Sequence, residues 1–520
     1  MNGRTNSSDV TIEEINYGAL IPLEAPTNLQ LAPLDKKATI RWEDPVDKYA
    51  DPGGELASQW AYSIVVRKES SAPTSPEDGV LVLKTTTRNQ YSSDVYTDDG
   101  NLDNTKLYYY AVYAYNTYDV PSEPVVSSVQ PRDAILEFNQ TLSDGLTKTT
   151  YQGGYYNSNS YWIDDTYTAK GSAYLSGASV GKQYALFAGG QINQGTSKYG
   201  ITQYYTNTVD VFDASFTRSS ASPLYAKCLG AIGVSTSTYA FFAGGWGGDT
   251  KYGDMTQIYS SASAYDASLT SHNIGLSCLY TNDDDVPNTT STFENMQKCG
   301  ASLGEYAIFQ GMRASSNFQT VNSSLTISNL TTAKFTGDGN TYGCEYTDGA
   351  VFIREGAVLK ISPDLVTEVV SIPNIEMGYH GAGLCRCGDY IVGQGVGHIS
   401  DSSTTTDWQA IDRWLTVRSL STYNRYTFNA SGTIGTYAVF ATSDYDNSAG
   451  GAGLDGGGNP VISYNHSLTR ATQTALSQGR HHGAVAVTGD NLLVAGGSHG
   501  YYSYGQNWNF YNTVDVYTIR

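Results

Sequence analysis

The chain has 520 residues and a net charge of −20, from 30 basic and 50 acidic side chains, and only 15% of its residues are charged. This acidic balance argues against nucleic-acid binding, because contact with phosphates requires a basic surface. The sequence has no apolar run long enough to cross a membrane as a helix. Its 54 glycines and 42 tyrosines favour turn-rich β-structure, and its length allows two or more domains.

The chain begins with a polar segment, Met1-Asn-Gly-Arg-Thr-Asn-Ser-Ser. This segment lacks the apolar region of a secretion signal, and alone it is expected to be disordered. We interpret residues 1–24 as an N-terminal arm that docks either on another molecule or on the domain that follows it.

Residues 25–132 predict a β-sandwich without cysteine, of the size of an immunoglobulin-like domain. Ala38-Thr-Ile-Arg-Trp42 alternates as a strand with a core tryptophan, and Tyr110-Ala-Val-Tyr-Ala-Tyr-Asn116 is a later strand. The spacing from Leu102 to Tyr108 resembles the tyrosine corner of fibronectin type III domains, in which the Tyr108 hydroxyl would bond to nearby backbone. Another kind of sandwich is the alternative.

A short sequence motif recurs in the rest of the chain. In this motif, a run of aromatic and aliphatic residues ends in two glycines. The three strongest copies are Tyr184-Ala-Leu-Phe-Ala-Gly-Gly190, Tyr239-Ala-Phe-Phe-Ala-Gly-Gly245 and Leu492-Leu-Val-Ala-Gly-Gly497. A strand of small residues precedes each strong copy and predicts the crowded inner part of a repeated sheet. The later Val-Asp-Val run, as in Thr208-Val-Asp-Val-Phe-Asp213, alternates like an outer, half-exposed strand.

Weaker copies bring the repeat starts to seven, at positions 184, 239, 306, 350, 390, 437 and 492. Successive starts lie 55, 67, 44, 40, 47 and 55 residues apart. A four-stranded propeller blade takes roughly 40–50 residues, and the longer intervals contain polar, Gly-rich or Asp-rich stretches that indicate loop insertions. These residues resemble the kelch family of β-propellers, which implies an all-β ring over residues 133–520. Seven blades are predicted, with six or eight as alternatives, because Ala134-Ile-Leu-Glu-Phe-Asn-Gln-Thr-Leu142 looks like one more outer strand before the first repeat.

The polar groups that could support catalysis or metal binding form no recognised motif. The sequence has no GxSxG, HExxH or P-loop, and we expect no enzyme activity. His481 and His482, as neighbours on a strand, would point to opposite faces and chelate poorly. The six cysteines, all in the ring, are expected to be free and buried; they are Cys228, Cys278, Cys299, Cys344, Cys385 and Cys387.

Two acidic segments are candidate Ca²⁺ sites, because hard oxygen ligands at alternate positions suit that ion. One is Asp283-Asp-Asp285, and the other combines Asp444, Asp446, Asn447 and Asp455. Neither has EF-hand spacing, so a solvated loop is the preferred interpretation and no cofactor is expected.

Clustered aromatic residues beside Gly, Asn and Ser are the best candidates for a binding face. This composition is typical of recognition loops, and aromatic faces also suit sugar rings. The candidate ligand-binding residues are Tyr204, Tyr205, Trp246, Tyr501, Tyr502 and Tyr504. The alternative is that the loops pack on themselves between blades.

The arm, sandwich and ring together resemble structural proteins of tailed bacteriophages. Met1-Asn-Gly-Arg-Thr-Asn-Ser and Asp44-Pro-Val-Asp-Lys-Tyr-Ala-Asp-Pro-Gly-Gly54 carry this resemblance. It implies a virion protein, such as a tail-fibre or receptor-binding component, made in the bacterial cytoplasm. The arm and sandwich would attach to other virion proteins, and the ring would bind a host surface glycan or protein without membrane insertion, in a homo-oligomer.

Two further hypotheses stay open at this point. The protein could be a structural or decoration component of the virion that binds no receptor. It could also be a carbohydrate-active propeller enzyme, which would require a pair of carboxylates about 5–9 Å apart in the central channel.

Overall fold

The computed structural model divides the chain into two compact units, unit 1 (Met1–Ile135) and unit 2 (Leu136–Arg520). Both units are built from β-strands. No helix in the part of the chain that the structure describes is long and apolar enough to span a membrane. The described residues are 21–49, 56–132, 135–156, 162–192, 204–247, 257–279, 299–310, 317–330, 335, 341–346, 349–354, 356–373, 375, 383–394, 405–406, 408–420, 423–424, 426–445, 460–499 and 509–520.

Unit 1 contains a three-stranded sheet and a four-stranded sheet, both antiparallel. Its elements are β1 (Thr27–Leu34), β2 (Lys37–Glu43), β3 (Lys48–Tyr49), β4 (Leu56–Ser58), β5 (Trp60–Glu69), β6 (Val80–Thr85), the helical turn α1 (Gln90–Ser93), β7 (Tyr96–Asp98), β8 (Tyr108–Asn116) and β9 (Val125–Val129). The sheet orders are β1-β2-β7 and β6-β5-β8-β9, and β3 pairs with β4.

The core of unit 1 forms around the tryptophan that the alternating pattern of β2 predicts. Trp42 is 1% exposed, packs with Ile40, Val65 and Tyr110, and donates a 2.8 Å hydrogen bond to Asp44. The expected bond at Tyr108 is also present, since the backbone N–H of Asp103 donates to its hydroxyl oxygen at 3.0 Å.

The last part of the N-terminal arm packs on the sandwich. Leu23 is 3% exposed, and the Asn116 side chain donates to the carbonyl oxygen of Ile21 at 3.2 Å. Glu24 forms an ion pair with Lys48 at 2.8 Å. Residues 21–24 of the expected arm therefore contact the strands of unit 1, and residues 1–20 lie outside the described residues.

The described residues of unit 2 form seven four-stranded antiparallel sheets, numbered here in chain order. Sheet 1 has β13 (Ser176–Val180), β14 (Tyr184–Ala188), β17 (Val209–Asp213) and β18 (Arg218–Ser220); sheet 2 has β19 (Ile232–Ser235), β20 (Ala240–Ala243), β23 (Ser261–Tyr265) and β24 (Ser271–Gly275). Sheet 3 has β25 (Gly300–Leu303), β26 (Tyr306–Gln310), β27 (Phe318–Val321) and β28 (Ile327–Leu330); sheet 4 has β29 (Tyr342–Tyr346), β30 (Gly349–Arg354), β31 (Ala357–Ile361) and β32 (Thr367–Ser371).

The remaining three sheets follow the same plan. Sheet 5 has β33 (Leu384–Cys387), β34 (Tyr390–Gln394), β36 (Trp408–Asp412) and β37 (Val417–Ser419); sheet 6 has β39 (Tyr426–Ile434), β40 (Tyr437–Tyr445), β41 (Val461–Tyr464) and β42 (Arg470–Gln473). Sheet 7 has β43 (Ala484–Thr488), β44 (Asn491–Ala495), β47 (Val514–Ile519) and β10 (Leu136–Thr141).

The described residues of unit 2 also form five two-stranded pairs and one 3-10 helix. The pairs are β11 (Thr150–Tyr156) with β12 (Trp162–Thr168), β15 (Gln191–Ile192) with β16 (Tyr204–Tyr205), β21 (Trp246–Gly247) with β22 (Gln257–Ile258), β35 (Thr405–Thr406) with β38 (Tyr423–Asn424), and β45 (Ser498–His499) with β46 (Asn509–Phe510). The 3-10 helix is Ser277–Leu279.

Six of the seven repeat starts read from the sequence lie in the second strand of a four-stranded sheet, and the seventh, Tyr239, directly precedes the second strand of sheet 2, β20. The small-residue runs are the first strands, as predicted. Each first strand contacts the first strands of the two neighbouring sheets, and β43 of sheet 7 contacts β13 of sheet 1. The described sheets therefore follow one another in a closed cycle.

The hydrophobic core of unit 2 lies between the sheets. Each of seven apolar clusters combines side chains of two neighbouring sheets; one, for example, joins Ala486 and Val516 of sheet 7 to Phe187 and Phe212 of sheet 1. Because each sheet is covered on both faces, its third strand is buried. The prediction of a half-exposed outer strand for the Val-Asp-Val runs was wrong, since Asp210 and Asp515 are 5% and 0% exposed.

Sheet 7 is assembled from the two ends of unit 2. Its first three strands come from the C-terminal end, and β10 pairs antiparallel with β47 as the fourth strand. The side chain of Thr141 on β10 donates to Asp515 on β47 at 2.6 Å. The early strand at 134–142 and the last Val-Asp-Val run are thus different strands of one sheet.

Sheets 1 to 6 share a turn between their third and fourth strands. The turns begin at Asp213, Asp266, Asn322, Ser362, Asp412 and Asn465, and each has Leu or Phe three residues later at φ of 58–64°. The first side chain accepts backbone hydrogen bonds within the turn, as Asn322 does from Ser324 at 3.0 Å and Thr326 at 2.9 Å. The left-handed Leu or Phe packs into the cluster shared with the preceding sheet, which offsets a backbone cost of about 1–2 kcal/mol.

A polar side chain on the third strand of four sheets holds the connection that arrives from the preceding sheet. In each case a backbone N–H of the connection donates to the side chain on the strand: Thr147 to Asp210 (3.0 Å), Tyr225 to Ser263 (3.1 Å), Cys278 to Gln319 (3.0 Å) and Ser477 to Asp515 (3.1 Å). These bonds fix the connections at one end of the sheets.

All six cysteines are free and buried, as expected. Burial raises the pKa of the Cys228 and Cys299 thiols to about 12. These thiols are therefore packing groups.

Candidate functional site

Three neighbouring sheets carry a short hairpin between their second and third strands. The hairpins are β45–β46 in sheet 7, β15–β16 in sheet 1 and β21–β22 in sheet 2. Each follows one of the Gly-Gly pairs found in the sequence. Since sheets 7, 1 and 2 are consecutive in the cycle and share one strand order, the three hairpins emerge at the same end of the sheets.

The Gly-Gly pairs are required by the backbone path into each hairpin. Gly189 and Gly190 have φ of 65° and 105°, and the other two pairs adopt nearly the same angles. A Cβ on Gly190 would lie 2.2 Å from the Ser172 hydroxyl, and one on Gly497 would lie 2.7 Å from the carbonyl oxygen of His481. Only glycine satisfies both the angles and the space.

Backbone hydrogen bonds join the bases of the three hairpins. The N–H of Tyr174 donates to the carbonyl oxygen of His482, and the N–H of Gly230 donates to that of Tyr174, both at 2.9 Å. The Tyr174 and His482 rings stack with centroids 4.0 Å apart. Sheets 7, 1 and 2 are thus held together directly beneath the hairpins.

The histidine pair lies in this base and does not adopt the expected arrangement. His482 has φ of 57°, outside a strand, and the His481 and His482 rings are in contact, with centroids 4.3 Å apart. The expectation of opposite-facing side chains was wrong because β43 begins only at Ala484. Among the described residues, no group of three His, Cys, Asp or Glu side chains could hold a metal ion.

A fully buried ion pair supports the hairpin of sheet 7. The Arg480 guanidinium lies 3.0 Å from the Asp515 carboxylate, and both side chains are 0% exposed. Arg480 also donates to the carbonyl oxygen of Val494 at 3.0 Å. Burial lowers the pKa of Arg480, and the adjacent Asp515 carboxylate opposes that shift.

The structure buries two of the six candidate ligand-binding residues. Trp246 is 0% exposed, and its backbone pairs with Leu229 at the base of the sheet 2 hairpin. Tyr205 is 6% exposed, and burial raises its pKa. Both aromatic side chains therefore fill the hairpin bases in this structure, and their part in ligand binding stays a prediction.

The other four candidates belong to the same hairpins. Tyr204 is in β16, where the structure describes only the backbone, and Tyr501, Tyr502 and Tyr504 lie outside the described residues, between β45 and β46. The strand topology thus assigns all six candidates to the hairpins of three adjacent sheets.

A cavity of about 170 Å³ lies at the centre of the cycle, at the N-terminal ends of the first strands. Its described lining has no acidic, basic or histidine side chain; it consists of Leu175, Ser176, Gly177, Ala231, Gly233, Gly300, Gly343, Leu384, Ala430, Ser431, Gly483, Ala484 and Val485. Glycine is needed here because a Cβ on Gly177 would lie 2.1 Å from the carbonyl oxygen of Val485. The described lining therefore supplies no general acid or base.

One exposed aromatic residue at the hairpin end is not among those predicted from the sequence. Tyr225, in the connection between sheets 1 and 2, is 65% exposed although its backbone is held by Ser263. It stands alone in Pro223-Leu-Tyr-Ala-Lys227, whereas the predicted binding residues are those near other aromatic residues.

The candidate calcium segments lie outside the described side chains. Residues 283–285, 446, 447 and 455 are not described, and for Asp444 only the backbone in β40 is described. The calcium hypothesis stays a prediction.

Comparison with known proteins gives little beyond the fold. No family model matches the chain, and no curated protein sequence matches it significantly. Among solved structures, a catalytically inactive variant of virginiamycin B lyase from Staphylococcus aureus, with quinupristin, is similar over 71% of this chain and 99% of its own. The identity is 11% and the TM-score is 0.39, so the description of the fold rests on the strand topology of the chain itself.

Proposed function

We propose that unit 2 is a seven-bladed kelch-like β-propeller and that unit 1 is a fibronectin type III-like sandwich. The cyclic contacts of the seven first strands and the completion of sheet 7 by β10 support the propeller. The sheet orders of unit 1 and the Asp103–Tyr108 hydrogen bond support the sandwich.

We infer that the protein is a non-catalytic recognition protein that binds through the hairpin end of its ring. The observation that carries this inference is the set of three adjacent hairpins, whose bases are joined by backbone hydrogen bonds and by the stacked Tyr174 and His482 rings. The segments between their strands, residues 193–203, 248–256 and 500–508, contain Tyr and Gly together with Asn, Ser, Thr or Asp. Tyrosine supplies large contact area at low entropic cost, and small polar residues supply adaptable hydrogen bonds.

We further propose that the protein is a virion component of a tailed bacteriophage that attaches to the host surface. The resemblance of the arm, sandwich and ring layout supports this assignment, with unit 1 facing other virion proteins and the ring facing a host glycan or protein. The described part of the cavity lining, which contains no acid or base, favours binding over catalysis.

Replacing Tyr501 and Tyr502 by Ala together tests the binding face. We expect this variant to fold and assemble normally but to lose most adsorption to host bacteria, since the segment between β45 and β46 would lose two aromatic side chains. The matched control is Trp414→Ala, which removes an aromatic side chain that is 77% exposed in the turn at the other end of sheet 5. Adsorption by the tyrosine variant equal to that of the wild type would count against this face.

A further inference from the structure

Tyr225 is presented rigidly at the surface beside the sheet 2 hairpin. Its connection is fixed by several hydrogen bonds: the Leu224 N–H donates to the carbonyl oxygen of Asn207 at 2.8 Å, and the Tyr265 hydroxyl donates to that of Ser222 at 2.8 Å. With the Tyr225–Ser263 bond, these contacts immobilise the backbone while leaving the ring 65% exposed. A fixed backbone lowers the entropic cost of using this ring in binding.

A second tyrosine lies across a small cleft from Tyr225. Tyr259 directly follows β22, and its ring fills the space above Gly247, where a Cβ would lie 2.8 Å from ring atom Cε2. Both tyrosines line the same cleft, together with the hydroxyl-bearing Ser261 and Ser263. Aromatic surface and hydroxyl groups thus meet at the boundary of sheets 1 and 2.

The uncharged described lining and the small volume of the cleft indicate which class of ligand could bind there. Its described lining contains no charged side chain, being formed by Leu224, Tyr225, Ala226, Cys228, Ala231, Phe242, Gly244, Tyr259, Ser261 and Ser263. The enclosed space is about 10 Å³, which is room for about one water. A ligand must therefore lie flat across the mouth, against the Tyr225 ring, with polar groups directed to hydroxyls and water.

We propose that this cleft is a subsite for a neutral sugar ring of a surface polysaccharide. The proposal rests on the recognition function proposed above and specifies its ligand. The C–H face of a pyranose would pack on Tyr225, and its hydroxyls would meet the Ser261 hydroxyl and water at the mouth of the cleft. The described lining supplies no cation to offset the lost hydration of an anionic saccharide, and a neutral sugar requires none.

The test measures adsorption of the full-length protein to a panel of Gram-positive and gut bacteria, with purified neutral and acidic cell-surface polysaccharides as competitors. The variants are Tyr225→Ala, Tyr225→Phe and the distant control Trp414→Ala. We expect Tyr225→Ala to weaken binding about tenfold or more, the loss typical of a central aromatic contact, while the other two bind like the wild type. Neutral polysaccharide should compete, and acidic polysaccharide should not. The melting temperature of each variant checks the fold, which an exposed ring should not alter.

The outcomes separate this proposal from the function on which it rests. Adsorption of Tyr225→Ala equal to that of the wild type, or competition by acidic saccharides alone, would overturn the sugar subsite and leave the recognition function intact. If the wild type adsorbs to none of the bacteria, both proposals fail.

Discussion

At the residue scale, a few buried polar groups organise the ring. Asp515 binds Arg480, Thr141 and the backbone of Ser477, and thereby joins three segments of the chain at sheet 7. A buried ion pair adds little net stability compared with an apolar pair, but removing one partner leaves the other charge unpaired.

Replacing Asp515 by Ala should lower the free energy of unfolding of unit 2 by about 3–5 kcal/mol, because Arg480 would stay buried without its counter-ion. The measurement is the urea midpoint of unit 2. The control is Asp490→Ala, which removes a partner of Lys182 whose side chain is 71% exposed and should cost about 1 kcal/mol or less. Equal midpoints for the two variants would contradict this role of Asp515.

The acid stability of unit 1 should depend on Asp78. The hydrogen bond from Lys68, with smaller contributions from those of Thr74, lowers the pKa of this carboxyl from 3.8 to about 2. A carboxyl with a lowered pKa in the folded state stabilises the fold above its unfolded pKa, and that contribution is lost as the pH falls from about 4 towards 2. Asp78→Asn should therefore reduce the melting temperature at pH 7 and flatten its decline over that interval. A decline as steep as that of the wild type would show that Asp78 contributes nothing to it.

At the element scale, the ring depends on a strand that is remote in sequence from the sheet it completes. β10 begins at Leu136, only a few residues after β9 ends at Val129, and pairs with the last strand of the chain. In sheets 1 to 6, the turn that begins with Asp, Asn or Ser connects the third strand to the fourth. In sheet 7 the fourth strand is β10, which comes from the other end of unit 2.

Two engineered protease sites should separate the roles of the residues before and after β10. Cleavage within residues 130–135 leaves β10 attached to the ring and should not change the melting temperature of unit 2. Cleavage between Ser143 and Asp144 leaves β10 held only by non-covalent contacts, so melting should occur at a lower temperature that depends on protein concentration. Identical melting after the two cleavages would contradict closure by β10.

The sequence predicted the repeated strands well because their signal is local. Each second strand contains a buried apolar run, and the seven runs read from the sequence locate all seven second strands. The place of β10 was left open because its partner, β47, lies at the other end of unit 2. The turn motif was missed because Phe216 and Leu269 look like ordinary apolar residues, whereas their left-handed φ is visible only in the fold.

The candidate site was predicted only in part, for a related reason. Composition identified the segments that carry aromatic residues, but it could not separate the rings that fill the hairpin bases from those at the surface. Trp246 and Tyr205 are buried, whereas Tyr225, a single tyrosine in a short connection, is exposed. Burial depends on contacts between sheets that lie far apart in sequence.

At the scale of the whole molecule, the chain combines a sandwich with a ring that presents three adjacent hairpins. On the proposed account, unit 1 attaches to a larger particle and unit 2 recognises a surface. The two compact units allow these roles to be tested separately.

The most direct test is the binding of purified residues 136–520, and separately of residues 21–135, to intact bacteria and to extracted cell-wall polysaccharide. The account predicts saturable binding by the ring fragment alone, with the length of the polysaccharide unchanged after incubation. Binding by the sandwich fragment alone, or shortening of the polysaccharide by the ring, would contradict it.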